Sequence, residues 1–224
     1  MTLTRENNMD LMARYKDGHF DLAIVDPPYG IGMAQNAGLS TGYTAKDWDK
    51  AIPPPEYFRE LFRVSKNQII WGGNYMTEFL RPTPAWIIWD KRENIIPERT
   101  FADGEMAWTS FNCPLRIFRH YWDGFMQRQK EERIHPTQKP VALYKWILNK
   151  YAKPGNKILD THLGSASIAL ACHDYGFDLT ACEMDEEHFA DAMRRVEAHV
   201  RQASLLSDLP AVVPQTTEQL KMEL

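Results

Sequence analysis

The stretch "KILDTHLGSASIALACHDYGFDLTACE", Lys157 to Glu183, decides the fold. Its first part, "KILD", is a short β-prone run that closes on an acid, Asp160. A turn follows, Gly164-Ser165-Ala166-Ser167, and opens the helical pattern "SASIALACHDYG", which Gly176 ends. "DLTACE" is a second β-prone run, closing on Glu183. A strand, a helix and a strand in this order make a βαβ unit, whose two strands run parallel. Gly164 lets the backbone turn sharply and lets a ligand approach it. The helix start offers N–H groups without partners. An acid ending the second strand of such a unit is suited to bind ribose hydroxyls. The turn holds one glycine, so it is not the dinucleotide fingerprint.

Upstream the alternation repeats. Asp21 to Val25, "NQIIWGG", "AWIIWD" and "GEMAWTSF" are expected strands. "PPPEYFRELFRV", entered through prolines, and "KPVALYKWILNKYAKPG", closed by glycine, are expected helices. Residues 4–16 are expected to form a helix on the stripe Leu11, Met12, Tyr15, and Asn74 to cap a short helix through Phe79. "DEEHFADAMRRVEAHVRQ" is a long amphipathic helix, and from Ala203 onward no period remains. The expected fold class is α/β, a mainly parallel, doubly wound sheet. Ligands of such sheets sit beyond the carboxyl ends of the strands, where the strand order reverses.

Composition sets limits. An apolar share of 44% and a charged share of 25% are those of a globular protein. No apolar run approaches the ~20 residues of a membrane span, and the start, "MTLTRENNMD", lacks a signal-peptide core. Cys113, Cys172 and Cys182 form no closely spaced metal pair, so no metal is expected, and their odd number suits a reducing, cytoplasmic setting. The net charge of −4 excludes a globally basic nucleic-acid binder. The window Pro114–Lys139 is nevertheless +3, with Phe118, Tyr121, Trp122 and Phe125 interleaved. Trp71, Trp86, Trp89 and Trp108 lie in expected strands and are expected in the core.

The second cluster is "DLAIVDPPYGIG", Asp21 to Gly32. Neither Pro27 nor Pro28 has an N–H for the sheet, so the strand stops there. Carbonyls are left without matching donors. Asp26 and a proline carbonyl can together accept hydrogen bonds from one exocyclic amine. Tyr29 offers a ring on which a base can stack.

These motifs together resemble the S-adenosylmethionine-dependent methyltransferases that modify adenine N6 or cytosine N4 in DNA. "DPPY" (Asp26 to Tyr29) is similar to their catalytic motif. "HPTQKP" (His135 to Pro140) resembles the segment before their cofactor strand, "DTHLGSAS" (Asp160 to Ser167) their cofactor loop, and "CEMDEEHF" their ribose-binding acid and its helix. "IIWGGNYM" and "AWIIWDKRE" look like their further sheet motifs. Catalytic motif first and cofactor motif later is the permuted order of the β group. The resemblance spans residues 5–200 and implies a Rossmann-like methyltransferase fold. The family's loop more usually has Phe where His162 stands, and Gly-Thr where Ala166-Ser167 stand.

The resemblance implies catalysis by Asp26, Pro27, Pro28 and Tyr29, with S-adenosylmethionine as cofactor. The residues implied to hold it are Asn7, Asn8, Asp26, His135, Thr137, Lys139, Asp160, His162, Gly164, Ser165 and Glu183. Among them Asn7 or Asn8 stands where the family often has an aspartate at the cofactor adenine. Thr137 and Lys139 are expected at the cofactor carboxylate, with a plain surface position as the alternative for Lys139. DNA contacts are expected from Tyr43 and Lys46 in the long 30–55 loop, and from Arg116, Arg119, Arg128, Lys130 and Arg133 in the short 112–134 segment. Residues 1–202 are expected as one methyltransferase domain and 203–224 as a loose tail. The family's large recognition insert is missing before HPTQKP, as in compact phage and prophage forms. That predicts short or relaxed specificity, or recognition shared across a homodimer. Adenine N6 in DNA, reached by base flipping, is the leading activity. Cytosine N4, an RNA amine, or a degenerate nucleic-acid-binding subunit are the alternatives.

Overall fold

The computed structural model describes residues 1–32, 49–92, 102–123, 126–127, 131–135 and 137–207. Along the chain come β1 (Thr2–Arg5), α1 (Asn8–Ala13), β2 (Leu22–Val25), α2 (Pro55–Val64), β3 (Gln68–Trp71), β4 (Trp86–Asp90) and β5 (Gly104–Thr109). Then follow β6 (Arg116–Arg119), a small hairpin of β7 (Trp122–Asp123) and β8 (Met126–Gln127), α3 (Val141–Tyr151), β9 (Lys157–Asp160), α4 (Ser167–Tyr175), β10 (Asp178–Glu183) and α5 (Glu186–Ser207). α5 continues past residue 202, where the tail was expected to begin; residues 208–224 lie outside the described residues.

Among the described residues, eight strands form one sheet in the order β1-β10-β9-β2-β3-β5-β4-β6. β5 alone runs antiparallel to its neighbours, so the mainly parallel sheet expected from the sequence is what forms. β2 and β3 are buried along their whole length, as a sheet covered on both faces requires. Alternate side chains of one strand go to opposite cores. Leu22, Ile24, Ile69 and Trp71 join Leu143, Ile147, Ile168 and Val196, the face of α3, α4 and α5. Ala23, Val25 and Ile70 join Leu11, Met12, Phe58 and Leu61, the face of α1 and α2. The sheet is thus doubly wound. The tryptophans expected in the core are there for Trp71, Trp89 and Trp108, while Trp86 is partly buried.

The helix expected over residues 4–16 is corrected. Thr2 to Arg5 form an edge strand parallel to β10, in register Leu3 with Ala181, and the helix spans only Asn8–Ala13. Asn7 divides the two, its side chain accepting the Met9 N–H at 2.8 Å as an N-cap. Pairing along the free edge of β10 outweighs the weak helical preference of so short and polar a segment. After β3, Asn74 lies inside a 3₁₀ turn, Gly73–Tyr75, which a second 3₁₀ turn, Thr77–Phe79, follows.

Candidate active site

The strand order reverses between β9 and β2. From β2 the chain proceeds to β3 on one side, and from β9 to β10 on the other. That point is where a crevice opens beyond the carboxyl ends of a doubly wound sheet. Asp26 follows the last residue of β2, and Asp160 ends β9. The two motifs quoted from opposite ends of the chain therefore meet on neighbouring strands.

A cleft of about 720 Å³ opens there, within the usual range of ligand pockets. Asp26 and Pro28 line it together with Asn7, Asn8, His135, Thr137, Lys139, His162, Gly164, Ser165 and Glu183. Asp160 is buried at the strand end and takes the His162 N–H at 3.0 Å, bracing the turn. Glu183 accepts the N–H of Gly164 and of Asp185, each at 3.0 Å, so its carboxylate is fixed at the lip. Ala166, just before α4, is the one non-glycine with positive φ among the described residues, at +60°. That explains why glycine is usual there, since a left-handed alanine costs about 1–2 kcal/mol.

His162 stands in a chain of polar contacts. Its Nε2 lies 3.1 Å from Asn8 Nδ2, its Nδ1 2.9 Å from Thr161 Oγ1, and Thr161 Oγ1 2.7 Å from the Tyr57 hydroxyl. Burial lowers the His162 pKa to about 4, so the ring is neutral at pH 7 and its Nε2 accepts from the Asn8 amide. His135 is neutral too, because burial and the neighbouring His188 bring it to about 3. Its Nδ1 faces the backbone N–H and hydroxyl of Thr137, at 3.3 and 3.1 Å, and so orders the HPTQKP turn.

The catalytic-motif end is built differently. Asp49 accepts the N–H groups of Tyr29 and Gly30 at 2.7 and 2.9 Å and ties the DPPY turn. Asp26 Oδ1 accepts from the Tyr29 hydroxyl at 2.7 Å, and Oδ2 from the Lys139 ammonium at 2.5 Å. Lys139 also meets Glu105 at 3.0 Å, and Glu105 pairs with Lys91. β5 explains Glu105. Because β5 is antiparallel, its first residues lie at the edge where β2 and β3 end, and Lys91 follows the end of β4 at that same edge. Burial raises the Asp26 pKa, Lys139 pulls it down and Glu105 pushes it up, leaving it above an ordinary aspartate. Burial would raise Glu105 as well, yet Lys139 and Lys91 hold it at about 2. Burial opposes the charge on Lys139, but Asp26 and Glu105 outweigh it, so the ammonium persists. The sequence reading singled out neither Glu105, Lys91 nor Asp49. An acid inside the apolar run "GEMAWTSF" was the one available signal.

The Tyr29 ring is stacked with Tyr75, centroids 5.4 Å and planes 19° apart, and Tyr75 is 47% exposed. Gly72, at φ +67°, packs against the same ring. A Cβ there would fall 2.2 Å from Tyr29 Cε1. Gly72→Ala is accordingly expected to displace Tyr29 and cost about 1–3 kcal/mol. Denaturant melting checks the cost, and a midpoint unchanged from wild type contradicts this packing.

Of the residues expected to contact DNA, Arg116 and Arg119 are exposed on the edge strand β6, and Arg133 is partly buried near the HPTQKP turn. Tyr43, Lys46, Arg128 and Lys130 lie outside the described residues. In the same segment Glu131 turns inward and pairs with Arg195 of α5 at 2.8 Å. Among the described residues no helix is long and apolar enough to cross a membrane.

Comparison with known proteins finds similarity in sequence and in fold. A sequence model described as DNA methylase matches residues 85–194. The type II methyltransferase M2.DpnII of Streptococcus pneumoniae is 23% identical, over 88% of this chain and 90% of its own. By fold the chain is similar to the M1.HpyAVI–SAM complex, with a TM-score of 0.58, 19% identity, and 87% and 98% of the two chains covered. It is likewise similar to the cytosine-N4-specific PvuII DNA methyltransferase, with a TM-score of 0.57, 11% identity, and 98% and 89% covered. Motif order, sheet topology and relatives thus agree that the chain is related to the S-adenosylmethionine-dependent DNA methyltransferases that modify exocyclic amines.

Proposed function

We propose that the protein transfers a methyl group from S-adenosylmethionine to adenine N6 in DNA. The observation that carries this reading is the meeting of Asp26 with the Gly164–Glu183 cleft at the point where strand order reverses. The cleft's donor set fits the cofactor. Glu183 and Asp185, with Glu6 and Glu186 beside them, bring carboxylates to the cleft, suited to a ligand with a sulfonium and an ammonium. Glu183 is placed for hydroxyls, and Asn8 with neutral His162 for an amine-bearing ring. When bound, the cofactor supplies an electrophilic methyl.

The rest is positioning and electrostatics. An exocyclic amine on a purine is a poor nucleophile, because its lone pair is delocalised into the ring. Asp26 and the Pro27 carbonyl accept its two N–H groups and favour a more tetrahedral nitrogen. Asp26 carries negative charge beside the nitrogen as that nitrogen turns positive. The amine is paired in duplex DNA, so the base must leave the stack, at a cost of a few kcal/mol. Aromatic stacking at the Tyr29–Tyr75 corner returns about 1–3 kcal/mol. Arg116 and Arg119 are suited to phosphates, which position the duplex without specifying sequence. The absence of a large recognition insert supports short or relaxed specificity, or sites shared between two copies.

Asp in the catalytic motif favours adenine. Cytosine N4 is the second reading, favoured by the likeness in fold to a cytosine-N4-specific enzyme. Labelled-methyl transfer to DNA and to RNA tests the substrate class. Label in DNA is expected, and label confined to RNA overturns the reading.

Cofactor binding is expected to depend on pH. Burial first, then Asp26 and Glu183, push the Asp160 carboxyl up to about 8, against the His162 N–H that favours its charge. The group is therefore protonated at neutral pH before the cofactor binds. A cationic ligand favours the ionised form, so binding below pH 8 releases a proton, and affinity rises as pH climbs toward 8. Calorimetry in two buffers of different ionisation enthalpy measures the proton count. No net release between pH 6 and 8 contradicts the assignment.

A further inference from the structure

We infer that Glu105 is a positioning residue for the target-amine chemistry, acting through Lys139 to set the direction and charge of the Asp26 carboxylate. This rests on the methyltransferase reading and deepens it. Lys139 is buried, and its ammonium reaches two acids from two different strands: Asp26 at 2.5 Å and Glu105 at 3.0 Å. Glu105 Oε2 also lies 3.4 Å from the Tyr29 hydroxyl, whose one proton goes to Asp26, while its other oxygen pairs with Lys91. Two acids and two ammonium groups thus alternate, and the cluster is neutral overall.

The alternation has a chemical consequence. With Asp26 as its sole acid, the Lys139 ammonium would bind that carboxylate fully and compete with the incoming amine for its lone pairs. Glu105 draws part of the ammonium away. One Asp26 oxygen is held by the Tyr29 hydroxyl and the other by a shared cation, so each retains a lone pair for the amine. The arrangement also fixes rotation of the carboxylate, since both oxygens are tied to separate elements. Lys139 and Lys91 together keep Glu105 ionised, so the sharing persists at neutral pH.

Among the described residues, the charged and titratable groups around Asp26 are Tyr29 of its own turn, Lys139 before α3, Tyr144 of α3, Glu105 of β5, Tyr57 of α2 and Asp160 of β9. Of these Glu105 is the acid that raises the Asp26 proton affinity. Replacing it by the neutral, equally shaped Gln lets Asp26 hold Lys139 alone, and its proton affinity drops.

The test uses the full chain with Glu105→Gln and Glu105→Asp. S-adenosylmethionine affinity is read by calorimetry, and methyl transfer to DNA is followed across pH. For Glu105→Gln a fall in kcat of roughly 10- to 100-fold is expected, with cofactor affinity unchanged and the acid limb of kcat/KM moved to lower pH. Glu105→Asp keeps the charge and is expected to restore the wild-type position of that limb with partial kcat; it carries the test if the Gln variant does not fold. Wild-type kcat and pH profile in Glu105→Gln, or a Glu105→Asp limb displaced as far as that of the Gln variant, overturns the inference. A wild-type protein that transfers no methyl to any nucleic acid overturns the underlying reading as well. An active wild type with an indifferent Glu105→Gln removes Glu105 alone.

Discussion

Asp26→Asn is expected to lower methyl transfer by about 10²–10³-fold, the usual loss when a preorganised partner of transition-state charge is removed. The substitution keeps size and shape, so it probes charge rather than packing. An Asn oxygen can still accept hydrogen bonds, but it replaces the second acceptor oxygen by a donor and places no full negative charge beside the nitrogen. Lys139 keeps Glu105 as a partner, so its ammonium is not stranded. The Glu183 lip and the Gly164 turn make their contacts without Asp26, so cofactor affinity is expected to stay near wild type. Single-turnover kinetics beside calorimetry separate the two quantities. Undiminished transfer removes Asp26 from the mechanism. A parallel loss of transfer and cofactor affinity moves its role from the amine to the cofactor.

Lys139→Met is expected to have the largest effect on stability. It deletes a buried cation and leaves Asp26 and Glu105 facing one another across an apolar side chain. Breaking a buried ion pair from one side costs about 3–5 kcal/mol. For a chain of this length that lowers the melting temperature by roughly 6–20 °C. The sign of the pH dependence follows from the acids left behind. In the wild type burial already raises Asp26 above an ordinary aspartate, and without Lys139 the group that lowers it most is gone. An acid whose folded pKa exceeds its unfolded value costs nothing in strong acid, below the unfolded pKa. It costs progressively more as pH rises through the folded pKa. The gap in melting temperature between wild type and variant should therefore widen from pH 5 to pH 8. Scanning calorimetry at both pH values measures it. A gap that narrows with rising pH contradicts the cluster as described.

The sheet was legible because its central strands are buried on both faces and therefore read as short apolar runs between turn residues. β1 was not. Four residues, two of them Thr and one Arg, carry too little pattern, and their stability comes from the edge of β10, far away in sequence. The two strand-end clusters were legible because glycine, proline and acid at a strand end have few purely structural uses together. Their meeting at the reversal of strand order had to come from topology. Glu105 was hidden for the same reason that it matters. Its partners Tyr29 and Lys139 are distant in sequence, and only the antiparallel course of β5 brings it to the edge where Asp26 lies. Lys139 was expected at the cofactor carboxylate. It lines the cleft, yet its ammonium is held by Asp26 and Glu105, a side-chain direction that no motif encodes. The His162 departure from Phe acquires a physical counterpart in Asn8, which gives the ring nitrogen a donor.

The most direct measurement is the identity of the methylated base. The purified protein is incubated with S-adenosylmethionine and unmethylated DNA, the DNA is digested to nucleosides, and these are separated by mass and retention. The account predicts N6-methyladenine with the wild-type protein and almost none with Asp26→Asn. N4-methylcytosine as the product, or N6-methyladenine at equal yield from both proteins, would contradict it.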